Sequence, residues 1–116
     1  MAQKRANERL QVDLVGTGRL AHSGQSFTFR VLDLTPGGML IRCAVTIPEE
    51  NPVVSMVLPV TFFSEEHATL TFSGSVVRRQ KVEGAHLYGV RLSVENHEEL
   101  GRLDEYYIER FLDVSA

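Results

Sequence analysis

Two short groups of residues carry chemistry in this chain. Arg5-Ala6-Asn7-Glu8-Arg9 sets two guanidiniums four residues apart, and Asp33-Leu34-Thr35-Pro36-Gly37-Gly38 sets a carboxylate and a hydroxyl at a turn. Four-residue spacing brings the arginines to one side in a helical turn. It does so in an extended arm too, where strand rise separates them by roughly 13 Å. Arginine binds phosphate oxygens through a fork, stacks on flat rings and bonds the O6/N7 edge of guanine. Asp33 can accept from the N1 and N2 groups of a guanine, Thr35 supplies a hydroxyl, and Lys4 adds charge to the arm. Together these groups suit a guanine nucleotide with more than one phosphate. Alone, Asp33 and Thr35 have a plainer reading, because such side chains bond their own backbone beside turns.

Other chemistries are missing. His22, His67, His86 and His97 are scattered, with no cysteine or carboxylate at zinc-ligand spacing. Gly74-Ser75 lacks the flanking pattern of a nucleophile elbow. Gly37-Gly38 lies between strands rather than opening onto a helix, so it is not a phosphate loop. No catalytic constellation emerges, and the chain does not read as an enzyme or as a holder of a metal or cofactor.

The length of 116 residues fits one domain, with residues 1–9 as a flexible arm and 10–116 as the folded body. No apolar run approaches a membrane span, and residues 1–15 lack a signal-peptide core. The single cysteine, Cys43, excludes an internal disulfide and points to a reducing cytosol. The net charge of −3 is unevenly placed. Lys4, Arg5 and Arg9 face only Glu8 at the start, whereas residues 95–113 are strongly acidic. A basic arm on an acidic body argues against DNA, which wants a broad positive face, and suits a small anion.

The elements that must position these groups are mostly strands. Leu10, Val12 and Leu14 alternate with polar residues, and Gly16-Thr17-Gly18 is expected to bend or bulge the strand. Ser26–Leu34 returns, with Phe27, Phe29 and Val31 on one face, until Leu32 breaks the phase. A strict count puts Asp33 on the aromatic face, so an irregularity is expected just before the turn. Thr35-Pro36-Gly37-Gly38 reads as a type II turn. Strands follow at Gly38–Cys43, Val53–Phe63, Ala68–Arg79 and Leu87–Val94, with a polar turn at Gln80–Gly84 and Pro59 marking an edge or bulge. The period then becomes helical. Asn96-His97-Glu98-Glu99 reads as a capping box. Leu100, Leu103, Tyr107, Ile108, Phe111 and Leu112 form an apolar stripe over a helix of about 97–112. The expected fold is mainly β: a small six-stranded antiparallel barrel with a C-terminal helix over one opening.

R-x-x-x-R at Arg5 to Arg9 followed by D-x-T-x-x-G at Asp33 to Gly38 resembles the PilZ domain family of bacterial cyclic di-GMP receptors. Thr35 stands where the family motif has serine, which keeps the hydroxyl and adds a methyl. Leu10 onward resembles the family's first strand, Ser75-Val76-Val77-Arg78 a late barrel strand, and Tyr88-Gly89-Val90-Arg91-Leu92 its closing strand, with Leu92 replacing the common aromatic. The resemblance implies a split barrel. It implies that Arg5 and Arg9 grip phosphate and guanine while Asp33, Thr35 and Gly38 line the barrel side, with Lys4 assisting. It further implies that ligand orders the arm, which then signals to an effector protein in motility, exopolysaccharide or virulence control. Arg78 reads as a solvent-facing charge ahead of one that approaches the site from a neighbouring strand, and Tyr88 as a packed tyrosine ahead of one that stacks on a base. The competing readings are a degenerate family member acting as a protein adaptor without nucleotide, and a small RNA-binding barrel. The second wants exposed aromatics on a basic face, whereas these phenylalanines hold core phase.

Overall fold

In the computed structural model, which describes residues 9–50, 52–93, 95 and 97–115, the elements are β1 (Leu10–Leu20), β2 (Ser26–Thr35), β3 (Gly38–Cys43), β4 (Val53–Thr61), β5 (His67–Val82), β6 (Ala85–Leu92) and α1 (His97–Ser115). The strands close in the order β1-β2-β3-β6-β5-β4, every pair antiparallel. This is the mainly β barrel with a terminal helix that the alternation implied. Its core is continuous: Phe29, Val31, Leu34, Ile41, Met56, Leu58, Tyr88 and Val90 fill the interior, and the helix contributes Leu103, Tyr106 and Tyr107. Tyr88 is packed, as its pattern implied. Its hydroxyl accepts from the Ile47 N–H and donates to the Val45 carbonyl, so the one polar atom of that side chain is satisfied inside the barrel.

Several local expectations change. Gly16 and Gly18 make no bulge; they sit in unbroken register within β1, opposite Phe29 and Phe27. A Cβ at Gly16 would lie 2.6 Å from the Phe29 ring, and one at Gly18 2.5 Å from the Phe27 ring. The glycines are there to let two aromatic rings lie flat on the strand. The irregularity of β1 falls earlier, between Gln11 and Leu14. Pro59 is no bulge. It pairs with Thr69, beyond the last β1–β4 pair at Thr17 and Val57, where β4 has a partner on one side only and a missing N–H costs no ladder bond. The turn expected at Gln80–Gly84 is narrower, because β5 runs on to Val82.

The helical stripe is rotated from its expected position. Tyr106 joins Leu103 and Tyr107 in the core, whereas Ile108 and Leu112 are 54% and 60% exposed. The difference follows from what the helix meets. Tyr106 packs edge-on against Phe62, and Arg110 and Glu109 beside it bond the Thr61 carbonyl and Phe63 N–H. The expected capping box has Asn96 outside the described residues, as is Val94 of the last strand. Glu99 accepts the Thr71 N–H from β5. Lys4 and Arg5 also lie outside the described residues.

Candidate functional site

Strict alternation along β2 would send Asp33 inward behind Phe27, Phe29 and Val31. The structure avoids that burial with a bulge. Val31 pairs with Ile41 but Asp33 pairs with Leu40, so Leu32 is an extra residue on β2. The phase reverses: Leu34 is fully buried, and Asp33 stands half-buried on the outer side with Thr35. The irregularity anticipated at Leu32 is therefore the device that brings the carboxylate to the surface.

The turn after it is built as its sequence implied. Gly37 has φ of 80°, the left-handed value needed at the third position of a type II turn after Pro36. Gly37 also accepts the Leu92 N–H at 2.9 Å, tying the turn to β6. Gly38 lies so close to β6 that a Cβ there would sit 3.0 Å from the Val90 carbonyl oxygen and 3.5 Å from the Thr35 hydroxyl. Any larger residue would push the strands apart and crowd Thr35.

Around this turn lies an open cleft of about 390 Å³, lined by Arg9, Asp33, Thr35, Gly38, Arg78 and Arg91 among others. That volume is in the range of small-molecule sites. Its floor is set by cross-strand register, since direct partners share a face. One row runs Asp33, Leu40, Gly89, Arg78, and the next runs Thr35, Gly38, Arg91, Ser75. Of the residues expected at a site, the structure thus brings Arg9, Asp33, Thr35 and Gly38 together. Burial pushes the Asp33 carboxyl above its ordinary 3.8, and the nearby Arg9 guanidinium partly opposes that shift.

Arg78 is a solvent-facing charge that also approaches the site from a neighbouring strand, and Arg91, which lies outside the arm and turn motifs, is exposed beside it. Both line the cleft. A second bulge accounts for Arg78: Val76 pairs with Val90 but Arg78 pairs with Gly89, leaving Val77 as the extra residue on β5. The signal in the sequence was Val76-Val77-Arg78-Arg79, where alternation fails, as it does at Leu32. The body is also less uniformly acidic than its composition implied. Arg42, Arg78 and Arg91 share the outer face of β3, β5 and β6.

A family model described as the PilZ domain matches residues 3–109. Among solved structures, the chain is similar to the PilZ domain of CeSA from a cellulose synthesizing bacterium, with a TM-score of 0.56 and 13% identity over 83% of this chain and 93% of that one. At that identity the likeness is one of fold. No curated protein matches the chain.

Proposed function

The chain belongs to the PilZ domain family, in general a family of cyclic di-GMP receptors, and from that premise we propose that this chain binds cyclic di-GMP in the cleft lined by Arg9 and the β2–β3 turn. The observation that carries the reading is the meeting of Arg9, Asp33, Thr35 and Gly38 around one cleft, although 24 or more residues separate Arg9 from the others in sequence. Arg9 bonds the guanine edge or a phosphate, Asp33 accepts from the N1 and N2 groups of the base, and Thr35 offers its hydroxyl. Gly38 keeps the floor open. Arg5 and Lys4 supply further charge from the arm.

The mechanism is capture coupled to ordering of the arm. Fixing each backbone residue costs about 1–2 kcal/mol, so ordering even a few opposes binding appreciably. Net affinity comes from charge-assisted forks and base stacking. The arm, once held, presents a surface that an effector can read, and the protein acts as a cytoplasmic receptor rather than an enzyme. No described helix is long and apolar enough to cross a membrane.

Titration calorimetry with cyclic di-GMP tests the reading. Arg9→Ala is expected to weaken binding by about 1–3 kcal/mol, the range for a bidentate arginine–guanine contact. Unaltered affinity in that variant would remove Arg9 from the site. Absence of any binding by the natural chain would favour the adaptor reading.

A further inference from the structure

Arg78 and Arg91 line the cleft, yet neither belongs to the arm or turn motifs. Among the described residues neither makes a hydrogen bond or ion pair. Arg42 on the same face also lacks such a bond but does not line the cleft, whereas several arginines of the barrel and helix are spent on structure. Arg79 donates to the Ile47 and Pro48 carbonyls, Arg30 pairs with Asp13, and Arg102 pairs with Glu66 and Glu105.

Arg78 is held in place at a cost. Leu70, Phe72, Gly74 and Val76 point inward along β5, so position 78 would be the next inward residue. The bulge at Val77 reverses the phase, interrupts the ladder and leaves that valine 50% exposed. Across from Arg78 stands Gly89, where a Cβ would lie 3.2 Å from the Arg78 Cβ. The absence of a side chain there lets the arginine stem lie over β6 toward the cleft. The same device on β2 turns Asp33 outward onto the same row. Two independent bulges thus set a carboxylate and a guanidinium three strands apart, roughly 14 Å by interstrand spacing.

We propose that Arg78 and Arg91 are phosphate-binding residues borne by the barrel, holding the cyclic dinucleotide from the side of the cleft opposite Arg9. This rests on the cyclic di-GMP reading of the site. With the base at Asp33, a phosphate lies toward Arg78 and Arg91, and the arm closes from the other side. Because both residues sit on paired strands, their contribution needs no ordering of backbone. They give the barrel an anion site that exists before the arm is engaged.

Calorimetry with cyclic di-GMP at two salt concentrations tests this on the natural chain, Arg78→Ala, Arg78→Lys, Arg91→Ala, Arg9→Ala and Arg19→Ala. Arg19 lies toward the β1–β2 turn at the far end of the barrel, bonded to the Gly24 carbonyl, and reports any nonspecific effect of lost charge. Arg78→Ala and Arg91→Ala are each expected to raise Kd about tenfold and to flatten its salt dependence, while Arg19→Ala leaves both unchanged. Arg78→Lys keeps the charge without the fork and falls between, which guards against a folding defect in the alanine variant. Natural affinity in both alanine variants, alongside weakened binding by Arg9→Ala, would overturn the barrel-borne contacts and spare the cyclic di-GMP reading. Equal weakening by Arg19→Ala would likewise overturn them. No binding by the natural chain would overturn both.

Discussion

At the end of the barrel that carries the β2–β3 and β4–β5 turns, two flanks use arginine in opposite ways. On the helix flank, Arg110 donates to the Thr61 carbonyl at 2.6 Å and lies over the rings of Phe63 and Tyr106, at 4.2 and 4.7 Å from their centroids. Arg102 stacks on Phe62 and pairs with Glu66 and Glu105. Those guanidiniums fasten α1 to the β4–β5 turn. On the cleft flank, Arg78 and Arg91 line an open volume without such partners, and the carboxylate among the lining residues, Asp33, is half-buried. Charge on the first flank is consumed by the fold. On the second it remains for something outside the chain.

The sharpest way to break this contrast is to remove the carboxylate. Asp33→Ala is expected to weaken cyclic di-GMP binding by about 1.5–3 kcal/mol, the range for hydrogen bonds to a charged group, measured by calorimetry. The pH profile sharpens the point. Binding through the guanine N–H groups requires the ionised carboxylate, so affinity falls as pH drops through the raised Asp33 pKa, a window above the ordinary 3.8. Folding has the opposite sign. Burial favours the protonated form, so stability present below the unfolded pKa is lost as pH rises through the folded one. Asp33→Ala should therefore flatten the pH dependence of affinity without destabilising the barrel at neutral pH. A cost to neutral-pH stability comparable to the lost affinity would make Asp33 a structural residue, like those of the helix flank.

The smaller effect lies on the helix flank. Arg110→Ala should cost about 1 kcal/mol of stability through its lost cation–π contacts, seen as a lower denaturation midpoint, and leave affinity for cyclic di-GMP unchanged. Weakened binding at unchanged stability would erase the distinction between the flanks.

The strands and the helix were legible because alternation and helical period survive wherever one face is buried. The break at Leu32 was legible as well, and so was the Pro36-Gly37 turn, where proline and a left-handed glycine leave few conformations. What escaped depends on partners distant in sequence. Gly16 and Gly18 read as a bulge until Phe29 and Phe27 are seen lying over them. Tyr106 falls outside the apolar stripe until Phe62 supplies its contact, and Ile108 falls inside it although nothing described covers it. The failed alternation at Val76-Val77-Arg78-Arg79 signals an irregularity, but that it sets Arg78 opposite Gly89 is defined only by the pairing of β5 with β6. Lys4 and Arg5 remain legible in sequence alone.

Backbone amide NMR shifts during titration of the natural chain with cyclic di-GMP test the central claim most directly. The account predicts saturable changes concentrated at residues 9–11, 33–40, 77–80 and 89–91, with 99–111 nearly unmoved. Changes centred on α1, or none at a large excess of the dinucleotide, would contradict it.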